Sequence, residues 1–306
     1  MKQRIFKMNR TIGILLTLAA VVWGTAVSPC FAGEPMQVFV SILPQKYFVE
    51  RIGGDRVDVN VMVRPGESPA VYEPGPGQMV ALTKSSLYFA VGVPFERTWL
   101  GKIASANPDM TIVNTDADIR KFPMESRHSH EEDGHGHDHG NGDDAALDPH
   151  VWMSPPLVML QARRILTALE KADPENRGVY ETNYEEFIRE LVDLDAEIRS
   201  LFTDKQGMRF MVFHPSWGYF ARAYDLVQIP VELEGKSVKP SRLVNLIEKG
   251  KELGIGAIFV QPQFSEKSAE IVAKEIGGTV VEADPLSENW ARNLRTVARR
   301  FREALK

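Results

Sequence analysis

The chain has 306 residues, of which 43% are hydrophobic and 25% charged, with a formal net charge of −5 at pH 7. This hydrophobic fraction is typical of globular proteins, and the length is sufficient for two domains with ordinary cores. The acidic balance argues against nucleic acid or an anionic membrane surface as a partner.

The first 32 residues have the order of a secretory signal peptide. Four basic residues precede an apolar run over 12–22, and Cys30-Phe31-Ala32 places small residues around a cleavage site after Ala32. A retained membrane anchor is the alternative, but the run is short for a span. A lipoprotein anchor at Cys30 is disfavoured because Pro29 precedes it. We predict a periplasmic or equivalent extracytoplasmic protein that begins near Gly33.

Removal of this segment would change both the charge and the redox chemistry of the chain. Four basic residues and no acidic residue would be lost, so the net charge would go from −5 to −9. The single cysteine would also be lost, which leaves no disulfide and no thiolate metal site. Such a balance suits the capture of cations.

The N-terminal half alternates short β-rich runs with helical patterns. Strands are predicted over 38–42, 57–63, 87–91 and 110–114, and helices over 44–52, 77–83 and 95–104. Alternation at this spacing is typical of βαβ units, which form parallel sheets. We therefore predict an α/β lobe over residues 33–172.

Residues 125–144 form a histidine-rich tract with seven carboxylates and almost no apolar side chain. Its histidines are His128, His130, His135, His137 and His139, five of the seven in the chain. Such a tract cannot bury enough surface to offset its ordering entropy, so we predict a loop. Imidazole suits Zn, Cu and Ni, and the density of histidine favours metal handling over a linker without a role.

Residues 174–202 predict one long amphipathic helix. Asp173 and Pro174 supply an N-cap and a first-turn proline. Apolar residues recur at spacings of three and four, at Tyr180, Tyr184, Phe187, Ile188, Leu191, Leu194, Ile198, Leu201 and Phe202. We interpret the segment 173–204 as a rigid spine of about 40 Å between two lobes. A helix hairpin inside one domain is the alternative.

The C-terminal half repeats the pattern of the first. Strands are predicted over 209–213, 227–231, 257–260 and 279–282, and helices over 241–253, 266–276 and 289–305. A second lobe over 205–306 follows. The predicted fold is α/β, with two βα lobes of mostly parallel sheets joined by a single long spine helix. A ligand would then bind in the interdomain cleft, at the carboxyl ends of the strands.

Two histidines lie outside the tract, and each stands beside a proline near a predicted strand end or loop. His150 follows the tract closely, and His214 follows the strand predicted over 209–213. Either one alone is more often a packed or hydrogen-bonded residue than a ligand. Because the tract lies next to His150, the joint interpretation as metal ligands is preferred.

Four short motifs occur along the chain, three of them around His150, His214 and Asp284. They are Ser68-Pro69-Ala70-Val71-Tyr72-Glu73-Pro74, Asp148-Pro149-His150-Val151-Trp152, Phe213-His214-Pro215-Ser216-Trp217 and Glu282-Ala283-Asp284-Pro285-Leu286. With these motifs the chain resembles the zinc/manganese class of solute-binding proteins that serve bacterial ABC importers. The resemblance runs from about residue 36 to the C-terminus, apart from the histidine-rich insertion.

The resemblance implies a metal site formed by His150, His214 and Asp284. It implies Zn²⁺ as the bound ion, with Mn²⁺ as the alternative, and the imidazoles favour zinc. It also implies two α/β lobes joined by one long helix, and the membrane permease of an ABC importer as the partner. We further expect a monomer that binds no nucleic acid.

The first of the four segments departs from the family pattern. Ala70 stands where the family has its first histidine, and a methyl group coordinates nothing. The missing donor could be water, Glu67, Glu73 or a histidine from the 125–144 loop. Glu67 is closer in sequence to the lost position, whereas a structural role is the stronger interpretation for Glu73. The departure could also mean weaker affinity, another metal or a non-metal ligand.

Two other functions remain as alternatives. Three protein ligands with an open position are also the pattern of a catalytic zinc site. A zinc hydrolase needs a general base and often carries His-Glu-x-x-His, and neither this motif nor a Gly-x-Ser-x-Gly elbow occurs. We therefore predict a binding protein and no enzyme. The other alternative is a periplasmic metal buffer or chaperone that serves no transporter.

Overall fold

The computed structural model describes residues 34–124, 147–232, 240–264 and 267–305. The predicted signal peptide and the histidine-rich tract lie outside the described residues. Glu34 to the C-terminus forms one compact unit. Within the described ranges, every helix is too short or too polar to cross a membrane.

Two four-stranded sheets form the framework. The first contains β1 (Met36–Val40), β2 (Val57–Val61), β3 (Leu87–Ala90) and β4 (Thr111–Asn114), in the order β2-β1-β3-β4. The second contains β5 (Arg209–Val212), β6 (Val227–Pro230), β7 (Ala257–Val260) and β8 (Thr279–Glu282), in the order β6-β5-β7-β8. Every strand pair is parallel, so the predicted α/β class with two parallel sheets is confirmed.

The inner strands show why the sheets are parallel. All four residues of β3, Leu-Tyr-Phe-Ala, are buried, and so are all four of β7, Ala-Ile-Phe-Val. A strand covered on both faces reads as a continuous apolar run, which is typical of parallel sheets with crossover helices. Each sheet therefore places the carboxyl ends of all its strands at one edge.

Nine helices connect or cover the strands in the described part of the chain. They are α1 (Leu43–Gly53), α2 (Pro76–Leu82), α3 (Pro94–Ala106), α4 (Pro155–Ala172), α5 (Arg177–Leu201), α6 (Gly218–Ala223), α7 (Pro240–Glu252), α8 (Lys267–Ile276) and α9 (Trp290–Ala304). The first four each carry proline in their first turn, where the fixed φ of proline suits a helix start.

Two of these helices were absent from the sequence prediction. Helix α4 has 18 residues and buries Val158, Ala162, Ile165 and Leu169, which recur at spacings of three and four. This periodicity and the Ser154-Pro155 start were detectable signals. Helix α6 has six residues, four of them buried, and so short an apolar run has no readable period.

The predicted spine begins three residues later than expected as an α-helix. A 3₁₀ turn spans Pro174–Asn176, and α5 then runs for 25 residues, about 37 Å. Asp173 makes no side-chain cap; its carboxylate accepts hydrogen bonds from Asn176 Nδ2 and the Tyr180 hydroxyl at 2.8 and 2.6 Å. The long helix is confirmed, and it packs against α4, α1 and α9. The domain boundaries at 173 and 204 stay a prediction.

One apolar core extends from the first sheet through α4, α5 and α9 to the inner face of the second sheet. Strand β5 and the residue that follows it show the division. Phe210 and Val212 belong to this core, whereas Met211 and Phe213 belong to a smaller cluster under α7 and α8. Side chains alternate between the faces of a strand, so the two faces of the second sheet enter different cores.

Two indole hydrogen bonds tie the segment after His150 to the C-terminal half. Trp152 Nε1 donates to the Pro285 carbonyl at 2.8 Å, and Trp290 Nε1 donates to the Trp152 carbonyl at 2.9 Å. Both rings are almost fully buried. Buried donors that each find a carbonyl fix the chain path around the site described next.

Candidate metal centre

A cavity of about 500 Å³ lies between the two sheets. It is lined by segments that follow strands of both sheets. Its lining includes Ala70 after β2, Arg97 in α3 after β3, His214 after β5 and Phe264 after β7. His150 enters from the 3₁₀ turn before α4. This location at the carboxyl ends of parallel strands agrees with the general rule for α/β ligand sites.

His150 is held by a buried carboxylate from its own segment. Its Nδ1 lies 2.7 Å from Oδ1 of Asp148, which also accepts the backbone N–H of His150 at 2.9 Å. Asp148 is 2% exposed, and its carbonyl accepts a hydrogen bond from the Tyr219 hydroxyl at 3.0 Å. Because a carboxylate only accepts, Nδ1 carries the proton and Nε2 has its lone pair available.

His214 has the same arrangement with a more distant partner. Its Nδ1 contacts Oε1 of Glu232, which is 2% exposed and lies 18 residues away. The backbone of His214 is fixed by Gln261, which accepts the N–H at 3.1 Å and donates to the carbonyl at 2.7 Å. The ring stacks on Phe264 with centroids 4.7 Å apart. Position, tautomer and ring plane are therefore all determined.

The two imidazoles converge in the cavity. Their ring centroids are 5.3 Å apart at an interplanar angle of 74°. Burial lowers the pKa of His214, against the opposing effect of its contact with Glu232, and a lowered pKa favours the neutral form that binds metal. Carboxylates behind imidazoles are the usual partners that orient histidine ligands of metals. The pair is thus prepared to bind a cation through Nε2.

Asp284 lies in a neighbouring cleft. Its Oδ1 accepts hydrogen bonds from Gln263 Nε2 at 3.1 Å and from the Leu286 N–H at 2.9 Å. The cleft has a volume of about 200 Å³ and shares Gln263 and Leu286 with the histidine cavity. The structure therefore brings His150 and His214 together and puts Asp284 one side chain away. Among the described residues, no three His, Cys, Asp or Glu side chains converge on one point.

The first segment contributes its alanine to the cavity wall. Ala70 is exposed and belongs to the lining of the cavity that also contains both imidazoles. Glu67 and Glu73 are exposed and do not belong to the lining. The five histidines of the 125–144 tract lie outside the described residues, but Met124, which directly precedes the tract, lines the cavity.

Sequence reasoning did not identify the residues that support the imidazoles. Asp148 stands two residues before His150 in the quoted motif, so its role was detectable from spacing. Glu232 and Gln261 lie 18 and 47 residues from His214, and no local pattern connects them to it. Phe264 stacks on the ring from the segment after β7. Their roles depend on the order of the strands in the second sheet.

Comparisons with known proteins identify the family of the chain. Residues 38–304 match the family described as zinc-uptake complex component A, periplasmic. The high-affinity zinc uptake system protein ZnuA of Bacillus subtilis (strain 168) is 30% identical over 247 residues, which are 80% of this chain and 76% of that protein. The zinc-binding protein AdcA of Streptococcus pyogenes serotype M3 is 26% identical over 91% of this chain, which spans 56% of that longer protein.

Solved structures give the same result. A crystal structure of ZnuA has a TM-score of 0.80 and 40% identity, with 88% of this chain and 99% of that chain covered. A zinc-bound structure of a ZnuA deletion mutant has the same TM-score and identity, with 89% and 98% covered. The chain therefore shares its fold with these structures.

Proposed function

Because the chain belongs to the family of periplasmic zinc-uptake complex component A, we propose that it captures Zn²⁺ outside the cytoplasm and delivers it to the membrane permease of an ABC importer. The observation that carries this proposal is the convergence of His150 and His214, each held at Nδ1 by a buried carboxylate. Neutral imidazole is a preferred ligand of zinc, and two of them favour zinc over manganese.

We place the metal ligands at His150, His214 and Asp284. The convergence of the two rings supports the first two assignments. For Asp284 the support is its proximity through Gln263 and Leu286, together with the family motif that contains it. Both hydrogen bonds recorded for its carboxylate in the described residues fall on Oδ1, which leaves Oδ2 to reach a metal. Glu67 and Glu73 stay candidates for a fourth donor.

We further propose a monomeric binding protein without catalysis, exported by the signal peptide of residues 1–32. The match to a family of zinc-uptake components supports the binding role. The acidic composition supports the absence of a nucleic-acid partner.

Metal analysis and transport assays test the function directly. We expect purified mature protein to bind one tight equivalent of zinc and to prefer Zn²⁺ in a competition titration against Mn²⁺. Cells that lack the gene should accumulate less zinc when zinc is scarce, and the gene on a plasmid should restore uptake. Tight zinc binding without any effect on uptake would favour a periplasmic buffer, and tight binding of neither metal would contradict the proposal.

Glu232→Gln should weaken zinc binding by about 10–100-fold, because the carboxylate that orients His214 and raises its basicity becomes a neutral amide. Isothermal titration against a zinc chelator of known affinity would measure this effect. Glu186→Gln is the matched control, since it makes the same change at an exposed position of α5. Equal affinities for the two variants would show that Glu232 does not support the metal site.

Deletion of residues 125–144 should leave one tight zinc per chain and remove weaker additional equivalents. Ordering a long polar segment around each ion costs entropy, so its affinity should be lower than that of the cavity. The segment begins one residue after Met124 in the cavity wall, so it would keep bound ions at high effective concentration beside the site. Weakening of the tight site on deletion would show instead that a histidine of the segment replaces the donor lost at Ala70.

A further inference from the structure

The chain segments on either side of the histidine-rich tract are joined by backbone contacts. Pro123 and Leu147 form an antiparallel bridge, and the N–H of Asp148 donates to the Phe122 carbonyl at 2.9 Å. Asp148 is also the residue whose carboxylate holds Nδ1 of His150 at 2.7 Å. The backbone of the residue that orients His150 is therefore fixed by the segment that precedes the tract.

Tyr219 in α6 holds the same residue from the C-terminal half of the chain. Its hydroxyl donates to the Asp148 carbonyl at 3.0 Å, and its ring packs on Phe122 with centroids 4.1 Å apart. The guanidinium of Arg222, also in α6, lies 3.7 Å from the centroid of the Phe122 ring, where a cation–π contact is favourable. Asp148 thus has both its backbone N–H and its carbonyl bound, and by residues of different halves.

Gly218, the first residue of α6, brings that helix against the carboxylate itself. A Cβ at this position would lie 2.9 Å from Oδ2 of Asp148 and 3.5 Å from Cε2 of Phe122. Only glycine allows so close an approach of the helix backbone. One oxygen of the carboxylate therefore contacts His150, while the other is bounded by α6, which leaves the group little freedom to turn.

We propose that Tyr219 is a positioning residue for zinc binding. With Phe122 and Gly218 it fixes Asp148, and Asp148 presents Nε2 of His150 to the ion. Tyr219 does not belong to the described lining of the cavity, so it acts on the metal only through Asp148. Loss of the partner behind a histidine ligand weakens metal binding by about 10–100-fold. This inference rests on the proposed function, because it takes zinc as the ion at His150.

Tyr219→Phe keeps the ring and removes the hydroxyl. It should weaken zinc binding by about tenfold, the lower end of that range, because the carboxylate stays and loses one of its supports. Competition of the full mature chain against a zinc chelator of known affinity would measure the change. Tyr180→Phe is the matched control, since this buried tyrosine of α5 donates to Asp173 at 2.6 Å. Both variants should lower the urea midpoint similarly, and only Tyr219→Phe should weaken zinc binding.

A double-mutant cycle with Asp148→Ala separates positioning from general loosening of the structure. Without the carboxylate, Tyr219 has no group to position behind His150. Tyr219→Phe should therefore change zinc affinity by less than about twofold in the Asp148→Ala background. A general structural effect would weaken zinc binding by the same factor in both backgrounds.

Gly218→Ala tests the same contact without removal of any hydrogen bond. The added methyl group would displace the Asp148 carboxylate, so zinc binding should weaken by a factor comparable to that of Tyr219→Phe. Gly178→Ala is the control, because a Cβ at this position of α5 would meet open space. Its zinc affinity should equal that of the parent.

The outcomes separate this inference from the proposed function. Equal zinc affinities for Tyr219→Phe and Tyr180→Phe, in a parent chain that binds zinc tightly, would overturn the inference and leave the function intact. An undiminished effect of Tyr219→Phe in the Asp148→Ala background would also overturn it. Failure of the parent chain to bind zinc would overturn both.

Discussion

His214→Ala should abolish tight zinc binding and the thermal stabilisation that zinc confers. At a thousandfold excess over its dissociation constant, a ligand stabilises the native state by about 4 kcal/mol. For a chain of this length that corresponds to a rise in the melting temperature of roughly 10 °C. The substitution removes one of the two converging imidazoles, so the remaining ring cannot hold the ion with comparable affinity. Differential scanning fluorimetry with and without zinc would measure the change.

The quantity to compare between variants is the rise in melting temperature that zinc causes. His214→Ala also leaves the buried Glu232 without its partner, and Oε2 of that residue already lacks one in the described structure. A buried carboxylate without a partner destabilises the metal-free protein on its own. His130→Ala removes one imidazole from the histidine-rich tract and is the control. It should retain the full zinc-induced rise in melting temperature. A variant at position 214 that bound zinc as tightly as the parent would disprove the site assignment.

Trp290→Ala should reduce the free energy of unfolding by about 3–5 kcal/mol. The indole is 2% exposed, meets Phe48 edge-on with ring centroids 5.0 Å apart, and donates to the Trp152 carbonyl. Removal of the ring would leave a cavity between α1 and α9 and a carbonyl without its donor. Urea denaturation followed by circular dichroism would measure the loss.

Trp290→Phe separates packing from hydrogen bonding at this position. It retains most of the ring volume and loses only the N–H donor, so a loss of about 1–2 kcal/mol is expected. If the alanine variant were no less stable than the phenylalanine variant, the ring would not contribute to the core as described.

Much of the fold was predictable because its strands and helices bury regular patterns. The apolar runs at residues 87–91 and 257–260 predicted two strands, and the spacing of apolar residues from Tyr180 to Phe202 predicted the long helix. The predicted strand over 279–282 agrees with β8 in both bounds. Helix α4 carried the same kind of periodicity and was missed, whereas α6 is too short to show any.

The site was only partly predictable from the sequence. His150 and His214 stand in recognisable motifs, and both line the cavity. Glu232 reaches His214 only because β6 lies next to β5 in the second sheet. The neighbouring cleft that contains Asp284 depends on how Gln263 and Leu286 pack, which no spacing along the chain encodes. Residues that contact the site through strand order and packing could therefore be identified only from the three-dimensional structure.

The continuous core has a consequence for how fast an ion can leave. A swing of the second sheet away from α5 and α9 would expose rings such as Phe210 and Phe301, whose centroids are 4.5 Å apart in that core. Exposure of apolar surface costs about 25 cal/mol per Å², so even 200 Å² would slow the event by several thousandfold. Val71 at the cavity wall is 81% exposed, so a local movement of its side chain uncovers almost no apolar surface. We therefore expect an ion to leave through local movements at the cavity wall, without separation of the second sheet from α5 and α9.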